Sequence, residues 1–206
     1  MATICSRDKC TGCAACFNVC PQRCISMVYD TEGFLSPEVD SEHCNKCGLC
    51  KSTCPVLRRS GSSCTVYQRV YASWNHDESI RFESASGGAF SALATHVLDQ
   101  NGVVFGAAFD DQMNVKHIAV SDKEELWRLR SSKYVQSDVG SSYVDVLSLL
   151  QEGKKVLFSG TPCQVAALCA VAGEENQNLV TCDLLCHGVA SPGLFSEYVR
   201  YLESCF

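Results

Sequence analysis

The sequence predicts two units of different class: a small α+β module built on cysteine over residues 1–64, then an α/β domain with a mostly parallel sheet over residues 65–206. Three observations predict this. Eleven of the 16 cysteines lie in residues 1–64, none lies between 65 and 162, and five lie from 163 onward, a step that divides the chain. Two cysteine runs of identical spacing fill the first part. Beyond residue 65, apolar runs of strand length alternate with amphipathic helical stripes, the order that lays down a parallel sheet.

Bulk composition excludes several classes. With 46% hydrophobic and 19% charged residues, the 206-residue chain suits one ordinary domain plus a small one. No apolar export leader is present, and no run approaches the roughly 18 apolar residues of a membrane helix. The expectation is a cytoplasmic protein without membrane insertion. A disulfide scaffold fits neither that setting nor this length. The net charge of −6 divides into seven basic against six acidic side chains over 1–64, and ten against seventeen afterwards. Neither part offers a basic face, which excludes nucleic acid as the main partner.

The two runs are Cys10-Thr-Gly-Cys13-Ala-Ala-Cys16-Phe-Asn-Val-Cys20-Pro21 and Cys44-Asn-Lys-Cys47-Gly-Leu-Cys50-Lys-Ser-Thr-Cys54-Pro55. Both read C-x2-C-x2-C-x3-C-P. In this bacterial ferredoxin spacing three close thiolates wrap one cubane, and the fourth, before proline, crosses to the other cluster. Two [4Fe-4S] clusters follow, the first held by Cys10, Cys13, Cys16 and Cys54, the second by Cys44, Cys47, Cys50 and Cys20. Gly12 and Gly48 suit tight turns near inorganic sulfide, and Pro21 and Pro55 help end each ligand loop. Zinc ribbons use C-x2-C pairs set further apart, a poor match to four thiols within eleven residues, twice over. Cys5, Cys24 and Cys64 fall outside the runs and read as small buried apolar residues. His43 reads as a supporting or surface group. Between the runs, Ile25, Met27 and Tyr29, then Phe34 and Leu35 past a Glu-Gly turn, predict a short hairpin. Such a ferredoxin-like cluster module has little core of its own, so metal binding should supply most of its folding energy.

From Thr65 the pattern changes. Val66, Tyr67, Val70 and Tyr71 predict a strand, followed by a polar loop through Ser86. Phe90, Leu93, Ala94, Val97 and Leu98 form a helical stripe closed by Asn101-Gly102. Val103 to Phe109 predicts a buried strand, Asp110 to Asn114 a turn, and Val115 to Val120 a strand pairing back. Ser121 with Glu124 makes a capping box before Leu126, Trp127 and Leu129. Tyr143, Val146, Leu147 and Leu150 form another helical stripe. A strand at 156–158, a helix at 162–171, a strand at 179–185 and a helix at 194–202 complete the order.

Ligands of open α/β sheets collect at the carboxyl ends of strands. Three loops carry suitable chemistry there. Ser84-Ala-Ser86-Gly87-Gly88-Ala89 opens a helix, where N–H groups and the dipole attract phosphate. In Ser159-Gly160-Thr161-Pro162-Cys163-Gln164, Thr161 suits the N-cap, Pro162 the first helical position and Gln164 the capping box. This places Cys163 in a first helical turn, where negative charge is favoured. Cys182-Asp183-Leu-Leu-Cys186-His187-Gly188 leads to Ser191-Pro192, another cap with proline. Cys163 and Cys186 thus occupy equivalent strand mouths, candidates to ligate a third cluster with Cys182, to flank a redox cofactor, or to form a redox pair.

These residues together resemble the coenzyme F420 hydrogenase/dehydrogenase beta subunit family. The resemblance runs through the paired ferredoxin motifs, the Ser84 to Gly88 turn, Ser132-Lys133-Tyr134-Val135, the Ser159 to Gln164 turn and Asp183-Leu-Leu-Cys186-His187-Gly188. It implies an α/β domain that binds FAD against Ser86, Gly87 and Gly88, with Lys133 near a phosphate or the isoalloxazine and Gly160, Thr161 and Gln164 beside it. It implies catalytic roles for Cys163, Cys186 and His187. It further implies an oxidoreductase passing electrons between the clusters and a hydride-exchanging partner, which is coenzyme F420 or another small-molecule acceptor or donor. A ferredoxin or other redox protein would be the protein partner. Family members are longer, so the resemblance also implies a domain cut short at the C-terminus. The rival reading is a relay that docks a redox partner and binds no flavin. A remote third is a zinc-stabilised interaction module.

Overall fold

Side-chain alternation along two central strands decides how the layers stack. In the computed structural model, which describes residues 4–58, 69–173 and 176–206, the main sheet contains β3 (Val103–Phe109), β4 (Val115–Val120), β5 (Val156–Gly160) and β6 (Leu179–Asp183). Its order is β4-β3-β5-β6, with β3, β5 and β6 parallel and β4 returning antiparallel beside β3. Val103, Phe105, Val156 and Phe158 point to one face, Val104 and Leu157 to the other, as the two-residue period of a strand requires. Both faces are buried, hence the near-continuous apolar runs.

On the second face lie α4 (Ala89–Leu98) and a 3-10 turn (Lys123–Leu129), which bring Ala94, Val97, Leu98, Leu126 and Leu129 onto Val104 and Leu157. The 3-10 turn is capped by Asp122, whose carboxylate accepts the Glu124 N–H at 2.9 Å, rather than by Ser121 as the sequence suggested. On the first face lie α5 (Ser142–Gln151) and α6 (Pro162–Ala172), with Tyr143, Val146, Leu150, Ala167 and Leu168 buried there. A last helix, α7 (Pro192–Cys205), is capped by Ser191, whose hydroxyl accepts the Leu194 N–H at 3.1 Å.

The cysteine-rich segment contains α1 (Ala15–Val19), the hairpin β1 (Ile25–Tyr29) with β2 (Leu35–Val39), and α2 (Leu49–Thr53). Ile25 pairs with Val39 and Tyr29 with Leu35, and Asp30 closes the turn by accepting from the Glu32 and Phe34 N–H groups. This segment packs on the first face of the main sheet: Cys13, Ala14 and Ala15 share a core with Phe105, Tyr143, Val146 and Phe158. Three polar side chains fasten the junction. Gln136 accepts the Leu35 N–H at 2.8 Å, Asn18 donates to the Gly140 carbonyl at 2.8 Å, and the Tyr143 hydroxyl lies 2.9 Å from the Cys13 carbonyl. Gly12, at φ +63°, is needed here, since a Cβ would sit 2.2 Å from the Gln136 amide and 2.5 Å from the Leu35 carbonyl.

Elsewhere the expectations need amendment. Val70 and Tyr71 form no strand and are 92% and 74% exposed, while Val66 and Tyr67 lie outside the described residues. The loop before Ser86 contains a short helix, α3 (Glu78–Phe82), capped by Asp77. The strand from Leu179 ends at Asp183, leaving Leu184 and Leu185 exposed.

His117 of β4 is buried, its Nδ1 2.7 Å from the Ser137 hydroxyl and its Nε2 3.1 Å from the Ser159 carbonyl, with its ring stacked on Phe158. Burial lowers its pKa to about 4. An unfolded chain therefore binds a proton near pH 6.5 that the fold refuses until about pH 4. Stability should fall as pH drops through that window and level off below it, by about 3 kcal/mol in all. Urea midpoints should drop between about pH 7 and 4, and His117→Gln should remove most of the drop that wild type shows.

Candidate functional site

The ferredoxin spacing places its thiols as two groups. Cys10, Cys13, Cys16 and Cys54 line one small pocket, walled otherwise by Ile4, Cys5, Thr11, Ala14, Ala15, Met27, Pro37 and Val56. Four soft sulfur donors in an apolar cage are the donor set of an iron–sulfur cluster. Like charge follows the same grouping: after burial, Cys13, Cys10 and Cys54 push the Cys16 thiol up to about 12. For Cys50 the upward push comes from burial and then from Cys44, Cys47 and Cys20, the second group. Cys54 thus stands with the thiols of the first run, and Cys20 with those of the second.

Local backbone shapes these loops. Gly12, Ala14, Lys46 and Gly48 all take positive φ, which turns the chain tightly enough for thiols three residues apart to point inward. The two sites differ in exposure. Cys13, Cys16 and Cys54 are buried, whereas Cys47 is exposed and Cys44 and Cys50 are half-buried. His43 lies at the surface, its Nδ1 2.6 Å from the Asp40 carboxylate.

The first site abuts the α6 turn. Thr161 caps α6, and Gln164 accepts the Thr161 N–H at 3.0 Å, the reciprocal half of a capping box. Cys163 lies in that first turn with its sulfur 3.0 Å from the Thr161 hydroxyl, and it packs against the core that holds Cys13 and Tyr143. Burial pushes the Cys13 thiol upward, partly offset by the Ala15 N–H and the Thr11 hydroxyl, and Cys163 adds to the rise. The Tyr143 hydroxyl lies between the Cys13 carbonyl at 2.9 Å and the Gln164 carbonyl at 3.1 Å. A covalent and hydrogen-bonded path of a few groups therefore joins a cluster ligand to the mouth of β5.

Residues 70–143 match the family described as coenzyme F420 hydrogenase/dehydrogenase, beta subunit N-term, and residues 9–57 match the 4Fe-4S dicluster domain. Over residues 70–143 the chain is similar to the coenzyme F420 hydrogenase/dehydrogenase beta subunit family. Its N-terminal segment is a ferredoxin-type domain for two [4Fe-4S] clusters. An uncharacterized protein of Methanocaldococcus jannaschii is 23% identical over 201 residues, covering 84% of this chain and 55% of that relative. Pyruvate synthase subunit PorD of Methanothermobacter marburgensis is 36% identical over 50 residues, 24% of this chain and 52% of its own length. A chain of the F420-reducing [NiFe] hydrogenase complex from Methanosarcina barkeri aligns with a TM-score of 0.44 at 21% identity, over 56% of this chain and 44% of that one. The chain spans about half the length of the curated relatives it matches. Among the described residues no helix is long and apolar enough to cross a membrane.

The other sequence-derived positions separate. Ser86 is exposed, and Gly88 caps α4 at φ +78° with no side chain capping the helix. Gly87 packs against the chain at residues 73–75: its carbonyl accepts the Asn75 N–H at 2.7 Å, and a Cβ would meet the Ser73 carbonyl at 2.7 Å. The Lys133 ammonium donates to the carbonyls of Arg128, Arg130 and Ser131 at 3.0, 2.6 and 3.3 Å. Burial lowers its pKa to about 8. An ion pair from Arg130 to Glu83 ties this corner to the Ser84 to Gly88 turn.

β5 and β6 are parallel neighbours, with Gly160 opposite Asp183, so the Cys163 and Cys186 loops do leave the sheet at the same edge. Their thiols do not gather as a third cluster would require. Cys163 leans on the Cys13 core, Cys182 packs on the α4 face, and Cys186 and His187 are exposed, the Cys186 sulfur accepting the Gly188 N–H at 3.4 Å. Sequence reasoning missed Gln136, His117 and the hydroxyl of Tyr143. A polar atom on an otherwise apolar stripe is the one signal that marked Tyr143. A roomier pocket lies between the β3–β4 turn and α7, lined by Asn114, Phe195 and Arg200 among others and by none of the predicted site residues.

Proposed function

We propose that the protein is an iron–sulfur flavoprotein oxidoreductase passing electrons between its two [4Fe-4S] clusters and FAD, and on to a hydride-exchanging substrate such as coenzyme F420 or another acceptor. Residues 1–64 would be the electron-carrying domain and residues 65–206 the flavin-binding one. When bound, the clusters exchange single electrons and the flavin links these to two-electron hydride chemistry. The observation that carries the reading is the contact of the Cys13 ligand loop with Tyr143 and the α6 turn.

The chain's own residues have definite parts in this reading. The uncapped N-terminus of α4 at Gly88, with Ser86 and Gly87 before it, suits a phosphate. Lys133 holds the neighbouring 3-10 corner and adds positive charge to it. Gly160, Thr161 and Gln164 shape the turn beside the first cluster, and Cys163, Cys186 and His187 stand at the strand mouths where substrate would meet them. A redox protein, in the way PorD is a subunit of pyruvate synthase, would be the partner at the more exposed second site, in the cytoplasm.

A second reading, a relay without flavin, is favoured by one observation: Gly87 is already packed by residues 73–75, and the protons of Lys133 are taken by carbonyls. Absorbance and flavin extraction on anaerobically purified protein separate the two. About one flavin per chain beside the broad cluster absorbance supports the enzyme. Protein that repeatedly fails to retain FAD while keeping its iron leaves the relay.

A further inference from the structure

The charges of the cysteine-rich segment nearly cancel in sum but are sorted along it. Residues 30–42 carry five carboxylates and no cation, whereas residues 44–58 carry Lys46, Lys51 and Arg58 and no carboxylate. Cations fall on the loops of the second thiol group: Lys46 stands between Cys44 and Cys47, Lys51 follows Cys50, and Arg23 comes soon after Cys20. Arg23, Lys46 and Lys51 are exposed, and among the described residues none of them enters an ion pair. Of the carboxylates before Cys44, Asp40 is occupied, accepting the Glu42 N–H at 2.9 Å and lying 2.6 Å from His43 Nδ1, and Glu42 remains as an opposing charge. Apolar surface accompanies the cations. Leu49, between Lys46 and Lys51 in the chain, is 42% exposed, Cys47 is exposed, and a Cβ at Gly48 would meet open space. The first thiol group is packed against Tyr143 and the α6 turn, so an electron arriving from outside meets the second group first.

We propose that this face docks a small one-electron carrier protein that bears carboxylates around its own redox centre. The proposal deepens, and rests on, the reading that a redox protein meets the second cluster. One electron passes per encounter: the carrier is oxidised, the second cluster is reduced, and no bond or proton is exchanged. Opposite charges speed the encounter and orient the carrier, and salt weakens both effects. Leu49 and the bare backbone at Gly48 give the close, apolar centre that a polar rim surrounds in protein interfaces.

The test uses the full chain, prepared without oxygen and reduced in stopped flow by an acidic two-cluster ferredoxin or, for comparison, by methyl viologen radical. With ferredoxin, the second-order rate constant of wild type should fall about tenfold as ionic strength rises from about 20 to about 300 mM, since the Debye length shrinks from about 20 to about 6 Å. The variant Arg23→Asn/Lys46→Asn/Lys51→Gln removes the charges, asparagine being tolerated at the positive φ of Arg23 and Lys46. With iron content unchanged, its low-salt constant should drop about tenfold and its salt dependence flatten, while reduction by methyl viologen stays within about twofold of wild type. A wild-type constant that ignores salt or rises with it overturns the proposal, whatever the variant does, and leaves a partner held by other means. A variant as fast and as salt-dependent as wild type overturns it equally. Sedimentation showing salt-sensitive dimers of wild type that the variant lacks would assign the face to a second copy, against the proposal. No reduction by ferredoxin at any salt, while methyl viologen reduces both clusters, removes the redox-protein reading itself and the proposal with it.

Discussion

Stripping iron from the holoprotein with a chelator is expected to unfold residues 4–58 and to loosen the α5–α6 face of the main sheet. The buried set specific to this segment is Ile4, Cys16, Cys24, Ile25 and Cys54, and three of those five are thiols. Hydrophobic burial on that scale cannot offset the ordering of some fifty residues at about 1–2 kcal/mol each. Metal–ligand bonds would therefore carry the fold, and their loss leaves four thiols facing one another with little to hold them together. Burial and like charge push the Cys5 and Cys16 thiols up to about 12, so protons return readily once iron leaves. Iron loss should accelerate as pH falls, because protons then compete better for sulfur. As Cys13, Ala14 and Ala15 withdraw, Tyr143 and Phe158 are uncovered. Near-UV CD should collapse, and amides of β1 and β2 should exchange quickly while those of β3 and β5 stay protected longer. Native-like near-UV CD from iron-free protein would refute this account.

The two groups of four thiols were legible because their chemistry is local. Thiols at fixed intervals before a proline specify a cage whatever surrounds it, and the structure adds only which of them are buried. The sheet was legible for a related reason: Val103 to Phe109 and the 156–158 run are too apolar for anything but a strand covered on both faces. What escaped depends on partners far along the chain. Val70 and Tyr71 have the composition of a strand but lie at the exposed surface, and composition cannot say whether a neighbouring strand exists. Ser121 lost the cap to Asp122 because one residue of slack in a turn decides which side chain reaches the first free N–H. Lys133 read as a free cation for a phosphate, yet the carbonyls it satisfies belong to residues two to five positions before it, a fold-back that only the 3-10 turn creates. Cys163 was correctly placed in a helical turn, but its neighbour is Cys13, 150 residues earlier, and not Cys186 across the sheet edge. The step in cysteine density at residue 64 marks a change of chemistry, while the core of Cys13 to Ala15 with Tyr143 runs straight across it.

That shared core makes Tyr143 the position where a single substitution should reach furthest. Its ring is fully buried against Phe158, with centroids 5.6 Å apart, and its hydroxyl lies between the carbonyls of Cys13 and Gln164. Tyr143→Ala should cost about 3–5 kcal/mol, the range for removing a buried aromatic ring and leaving a cavity. The cavity would open beneath Cys13, so iron at the first cluster should become labile while the second is retained. Tyr143→Phe isolates the hydroxyl. It keeps the ring, leaves one buried carbonyl without its donor and should cost about 1–2 kcal/mol. Iron content should be unchanged in that variant. If the hydroxyl also conducts, as the proposed function implies, reduction of bound flavin by pre-reduced clusters should slow several-fold in Tyr143→Phe. If the junction serves only to hold the two parts together, the urea midpoint will move and the flavin reduction rate will not. Stopped-flow absorbance and urea titration on the same two preparations, with iron counts as the control, distinguish these outcomes.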